Sequence, residues 1–378
     1  MTSPTRSLIA TSSPTLNAAL AGCKLRVAYS RDPVFKVLNR PNPRSSLGSA
    51  AHLTTAEAWT GPRESETANS SPKAWLAEVW NHSIHHVAKR LASAWSPAIP
   101  PSAEHWPGYV LTRMQLLIQL LPMAEGRWED PRPDKPASSP AVGRPGEHVL
   151  PGLPWIEREL KDPASELSGT PDRVERRGDG RVYVVDLKAG IHQQEASPAQ
   201  LEQLSLYAHL VRANGLTLPE VGVIVNAGGA EQVLPLTQES VDAVLAAMDS
   251  RRREYNGLIA EGVSDLEMAN ASPETCRGCP FRAVCGPFHG VWEEEWAIGR
   301  GVRGTLRAQK ARGDTWEVEI DASSPPSVAG QVVRLSRLPR PTALSPGAPF
   351  SAFGTDVLGS PLAQGARWST LFWPLLGP

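Results

Sequence analysis

The chain has 378 residues, of which 41% are hydrophobic and 20% charged, and its net charge is −1. That composition excludes a wholly disordered chain and leaves room for two domains. It also excludes a broadly basic nucleic-acid coat, so any nucleic acid has to meet a local basic groove.

Residues 1–12 are rich in Ser, Thr and Pro, hold one Arg and lack a signal-like apolar stretch, so they read as a loose tail. From Pro14 to Tyr29 apolar residues recur at helical spacing, with a break near Gly22. Further helices are expected from Ser46 through "LGSAAHLTTAEAW", over "PKAWLAEVWNHSIHHVAKRLASAW" and over "YVLTRMQLLIQLL". The last carries Thr112, Arg113 and Gln115, which makes it too short and too polar to span a bilayer, so a cytoplasmic protein with no membrane partner is expected. Residues 125–150 form a Pro-rich loop.

Strand patterning begins after Leu153. "WIEREL" alternates, and "ELSGTPDRVERRGDGRVYVVDLKAG" reads as two strands joined at Gly178-Asp179-Gly180. "SPAQLEQLSLYAHLVRANG" is a helix with Ser197 as cap, Pro198 in the first turn and Gly215 as stop. "EVGVIVNAG" is a strand, and "QESVDAVLAAMDSRRREYNGLIAEG" a long helix. The order predicts an α/β core with a central mixed sheet flanked by helices. After Trp296, five short strands between Gly- and Pro-rich turns suit a small all-β, OB-like domain over 297–378, with Trp316, Arg334, Arg337, Arg340 and Trp368 as candidates for stacking and charge.

Two motifs carry chemistry. Cys276, Cys279 and Cys285 form C-x2-C-x5-C, and the fourth and last Cys is Cys23. Four thiolates suit either a zinc ion or an iron–sulfur cluster, although zinc sites more often come as two paired knuckles. The second motif is Asp172 after Pro171, followed by Asp186-Leu187-Lys188. Period-two alternation puts Asp186 and Lys188 on one face of a strand, and the turn brings Asp172 alongside. Two carboxylates and a lysine suit metal-assisted phosphodiester hydrolysis. Gln203 and Tyr207, four apart on one helix face, could complete it, with Glu157 or Glu159, which share one face of the preceding strand.

The strings "GTPDRVE", "VVDLKAG" and "QLEQLSLYA" resemble the RecB-type branch of the PD-(D/E)XK nuclease superfamily. One upstream Cys with a distal C-x2-C-x5-C resembles that branch's iron–sulfur members, the AddB-type repair nucleases and the CRISPR-adaptation nucleases. "LAGCKLRVAYSRDP" is similar to their upstream cysteine segment and "SSLGSAAH" to their G-x3-H helix. Lys24 and Thr55 depart from the family, which usually has Pro after the first Cys and an apolar residue after the His.

The resemblance covers about residues 13–288, within a nuclease domain taken as 13–290, and implies a metal-dependent DNase of repair or phage defence. His52, Asp172, Asp186 and the Leu187 carbonyl would hold Mg²⁺ or Mn²⁺, with Lys188 as catalytic lysine. Glu157 would be the upstream acid, with Glu159 as fallback, and Gln203 and Tyr207 would support the site. Cys23, Cys276, Cys279 and Cys285 would ligate a [4Fe–4S] cluster that staples the core. His85 competes with His52, which is preferred because Gly48 lets its helix approach closely. DNA is the expected partner. No G-x4-GK[ST] loop occurs, so unwinding would fall to a helicase or defence partner. The competing readings are a DNA-binding subunit that does not cut and a zinc-stapled protein without nuclease activity.

Overall fold

The computed structural model describes residues 6–36, 39, 43–93, 102–129, 152–188, 195–226, 229–282, 284–291, 301–309, 316–324, 330–336, 346–347, 349–357 and 364–374. The chain opens with α1 (Pro14–Gly22), α2 (Lys24–Arg31), α3 (Pro43–Thr60), α4 (Glu64–Asn69), α5 (Pro72–Ser93) and α6 (Tyr109–Trp128). It continues through β1 (Trp155–Ile156), β2 (Leu160–Asp162), β3 (Leu167–Gly169), β4 (Arg173–Arg176), β5 (Val182–Lys188), α7 (Pro198–Ala213), β6 (Val221–Asn226) and β7 (Glu231–Pro235). Then come α8 (Gln238–Glu261), α9 (Asp265–Met268), α10 (Pro273–Cys276) and α11 (Gly286–Val291).

The central sheet runs in the order β1-β4-β5-β6-β7. The β5–β6 pair is parallel and the others antiparallel, which makes the predicted mixed sheet. A parallel pair needs a crossover, and α7 supplies it. Both faces of β5 are covered, which explains its unbroken apolar run. Val182 and Val184 join Val174, Leu204 and Leu210 under α7, while Tyr183, Val185 and Leu187 pack with β6 residues on the other face. Burying each such side chain stabilises the layer by about 1.5–3 kcal/mol. Ser197 caps α7 through Gln200, with Pro198 in the first turn, as the sequence predicts.

A separate bundle of α3, α5 and α6 closes around Leu47, Ala51, Trp75, Trp80, Leu116 and Leu120. A third cluster joins Leu20, Leu25 and Tyr29 to Tyr255, Cys279 and Phe281, so residues over 200 positions apart share one core.

Several expectations are corrected. The tail expected to be loose is packed from Arg6 onward. Ile9 is buried against α8 and exchanges hydrogen bonds with Asn256, and Ser12 bridges to β3. Helix α6 runs through Pro122 to Trp128, so its end takes residues assigned to the loop at 125–150, most of which lies outside the described residues. "WIEREL" is two strands in different sheets, because Glu157 turns the chain at φ 46°. Strand β7, a half-exposed edge ending in Pro235, adds to the strands expected from the sequence.

Beyond α11, β8 (Gly301–Gln309), β9 (Trp316–Ser324), β10 (Val332–Ser336), β11 (Pro349–Val357) and β12 (Gln364–Pro374) match the five expected strands. They close a barrel in the order β10-β12-β11-β8-β9, around Val318 and Ile320. Only β10 and β12 run parallel among its pairs. Five strands closed this way suit an OB-like barrel. The Trp316, Arg334, Arg337, Arg340 and Trp368 side chains lie outside the described residues.

Candidate active site

The β4–β5 hairpin sets the acidic pair. Its antiparallel register places Arg173 opposite Val185, so one step further Asp172 stands opposite Asp186. Alternation points Asp172 and Val174, with Val182, Val184, Asp186 and Lys188, toward α7. Asp172 Oδ2 accepts the Leu187 backbone N–H at 2.5 Å, which ties the strands at the site.

Helix α3 brings His52 across this edge. Its Nδ1 lies 3.4 Å from Asp172 Oδ1 and 3.9 Å from Glu157 Oε1. Seven residues on, two helical turns along the same face, Trp59 carries the Arg173 guanidinium 4.8 Å from its ring centroid. This contact pins α3 to the strand that follows Asp172. Neither residue was singled out in the sequence, although the i, i+7 spacing was the available signal.

Glu157 reaches His52 because of its left-handed backbone, an arrangement that costs about 1–3 kcal/mol at a non-glycine residue. Its N–H donates to the Asp172 carbonyl at 3.0 Å. The expectation that Glu157 and Glu159 share a face is overturned by this kink: Glu159 is exposed and pairs with Lys161. His85 is exposed on α5 and stands outside the group.

The lysine end of the site is a relay of polar contacts. Lys188 Nζ lies 2.7 Å from Asp186 Oδ2 and donates to Gln203 Oε1 at 3.2 Å, and Gln203 Nε2 donates to the Tyr207 hydroxyl at 3.4 Å. The Lys188–Asp186 contact is an ion pair without hydrogen-bond alignment, so the buried Oδ2 has no aligned donor.

Burial pushes the Asp186 carboxyl up to about 6; Lys188 opposes the shift and Asp172 adds to it. Burial works against a charge on His52, but the carboxylates of Asp172 and Glu157 outweigh it and lift the imidazole to about 10. Burial likewise lifts Tyr207 to about 12, so it stays a neutral phenol.

A divalent ion fits these residues. His52, Glu157 and Asp172 bring their ligand atoms within 4.8 Å of one another. One imidazole with two carboxylates is a donor set for a divalent ion, and Asp186 stands opposite Asp172 on the neighbouring strand.

All four cysteines line one pocket, together with Tyr29 and Phe281. Cys23 sits in the break between α1 and α2, and Cys276 ends α10, which Ser272 caps. Burial raises the Cys276 thiol, raises Cys279 to about 11 and raises Cys285 to about 12. Thiols so placed stay protonated until a metal displaces the proton.

Neighbouring strands thus present two carboxylates and a lysine beside a histidine, the pattern of a PD-(D/E)XK core. The chain belongs to the PD-(D/E)XK nuclease superfamily, whose family profile matches residues 11–286. No curated protein matches it. A solved structure named "Crystal structure of SSO0001" is similar at 16% identity with a TM-score of 0.24, over 35% of this chain and 60% of that one. Among the described residues, no helix is long and apolar enough to cross a membrane.

Proposed function

We propose that the protein is a Mg²⁺- or Mn²⁺-dependent deoxyribonuclease that processes DNA ends or single strands, in DNA repair or phage defence, with a structural [4Fe–4S] cluster. The observation that carries it is the convergence of His52, Glu157, Asp172, Asp186 and Lys188 on one edge of the sheet. In this reading His52, Asp172, Asp186 and the Leu187 carbonyl hold the ion, joined by Glu157. A bound divalent ion supplies positive charge at the scissile phosphate and acidifies water. Lys188 orients the attacking water and steadies charge on the phosphate. Gln203 holds Lys188 in place, and Tyr207 holds Gln203.

Cys23, Cys276, Cys279 and Cys285 ligate the cluster. All four line one pocket, as ligands of a single metal centre must. The nuclease domain is taken as 13–290 and the OB-like domain as 297–378, the latter suited to hold single strands for the cutting site. A helicase or defence protein would supply opened DNA.

The test is an anaerobic assay on single-stranded, double-stranded and flapped DNA with Mg²⁺ or Mn²⁺, beside Lys188→Ala and metal analysis. Cleavage that needs the metal and Lys188, in protein that carries iron and sulfide, is expected. Binding without cleavage would make the chain a DNA-binding subunit, and zinc without iron would remove the cluster.

A further inference from the structure

Along β1 to β5 and their turns, nearly every cation is already engaged. Arg173 pairs with Glu175, Arg177 with Glu175 and Glu231, Arg181 with Asp179, Lys161 with Glu159 and Lys188 with Asp186. Arg176 donates to the Gly180 carbonyl at the hairpin tip, at the opposite end of β4 from Asp172. Arg158 is different. Among the described residues it has no carboxylate partner, and its guanidinium carbon lies 4.9 Å from the centroid of the Trp155 ring.

The placement of this cation is specific. Arg158 directly follows Glu157, whose backbone is fixed to Asp172 and whose carboxylate faces His52. Trp155 is 3% exposed and belongs to the core beneath α7, so its ring is a fixed platform. An arginine held over a ring keeps its planar fork of donors, and that fork matches two oxygens of one phosphate. A surface arginine serving stability alone would be expected to pair with a carboxylate, as Arg173, Arg177 and Arg181 do. Among the described residues this one has no carboxylate, and it follows directly on Glu157, whose carboxylate faces His52.

We infer that Arg158 seats a backbone phosphate of the substrate beside the scissile one, so that it sets nucleic-acid affinity and not the chemical step. The inference rests on the nuclease reading above. A contact of this kind is blind to base identity, so it tightens binding to all sequences alike. It also adds one neutralised phosphate to the salt dependence of binding.

The experiment is steady-state cleavage of a single-stranded oligonucleotide with Mn²⁺ at several salt concentrations, for the full chain and for Arg158→Ala and Arg158→Lys. Arg158→Ala should raise KM several-fold and leave kcat within about twofold. Its plot of log(kcat/KM) against log salt should be shallower by about 0.7, the share of one phosphate on a single strand. Arg158→Lys should restore the slope, because it restores the charge. An unchanged KM and slope in Arg158→Ala overturns the inference. So does a fall in kcat with a parallel shift in the Mn²⁺ half-saturation point, which would mean that the change acts through Glu157. A wild-type protein that cuts no nucleic acid with either metal instead overturns the nuclease reading.

Discussion

The Leu187 N–H donates to one oxygen of Asp172, while the other oxygen faces His52 at 3.4 Å. Asp172 therefore has a structural oxygen and an open one. Asp186, directly across the hairpin, has a buried oxygen with no aligned donor. The two acids look equivalent in sequence but make opposite contributions to the stability of the metal-free protein.

Asp172→Asn and Asp186→Asn should both abolish cleavage, yet differ in thermal unfolding of the metal-free protein. Asp172→Asn weakens a buried charge-assisted hydrogen bond and should cost about 1.5–3 kcal/mol. Asp186 has a folded pKa of about 6, above its ordinary 3.8. The folded state binds more protons between those values, so stability falls as pH rises from about 4 to about 6 and stays lowered above. Asp186→Asn removes that loss and should stabilise the protein by about 1–2 kcal/mol at pH 7–8, after discount for the Lys188 partner it gives up. Melting curves at pH 5 and pH 8 check this; equal destabilisation by both variants at pH 8 would count against it.

His52 should make metal binding release protons. At about 10 it is protonated in the metal-free protein at pH 8, and it must be neutral to bind an ion. Calorimetric titration with Mn²⁺ in two buffers of different ionisation enthalpy should show about one proton released at pH 8. His52→Gln should release almost none and bind the ion more weakly. The same raised pKa gives stability that is complete below pH 6.5 and is lost as pH rises toward 10, so the wild type should lose its advantage over His52→Gln across that window.

Much of this site is legible in the sequence because its parts are local. The hairpin, the period-two pair Asp186 and Lys188, and the cap of α7 each depend on residues within a few positions. The Glu157 kink is not legible: a left-handed glutamate is held by the Asp172 carbonyl fifteen residues away, and no propensity encodes it. The packing of Ile9 depends on Asn256, over 200 residues on, so composition alone suggests a loose tail. Pro122 looks like a stop, but α6 is carried through it by Leu120 and Ala124, buried on its bundle face.

Cys279→Ser should separate the cysteine pocket from the catalytic edge. Cys279 packs in the core that joins α1 and α2 to the end of α8. If the four thiols share one metal centre, this variant loses iron, sulfide and visible absorbance, and it unfolds at a temperature at least several degrees lower. Lys188→Ala should keep the absorbance and the melting temperature while losing cleavage. Absorbance retained in Cys279→Ser, measured on anaerobically purified protein, would break the four-thiol assignment.

The N-terminal segment is tied to the helix that carries Gln203. Arg251 on α8 makes a two-pronged ion pair with Glu202 at 2.6 and 3.0 Å and donates to Asn17 at 2.9 Å, and Asn17 donates to Glu202 at 2.8 Å. These contacts lock α1, α7 and α8 together, one residue before Gln203. Arg251→Met keeps most of the aliphatic bulk but leaves the half-buried Glu202 carboxylate with Asn17 alone. Its destabilisation should be about 1–3 kcal/mol, below that of a fully buried pair. Because α7 also carries Tyr207, the same change should loosen the Gln203 contact to Lys188 and lower kcat several-fold, with the KM for DNA unchanged. Glu202→Gln should lose part of the stability, since its amide can still meet Asn17. A double-mutant cycle on melting temperature and kcat tests the coupling: additive effects of Arg251→Met and Glu202→Gln on both would show that the network does not act as a unit.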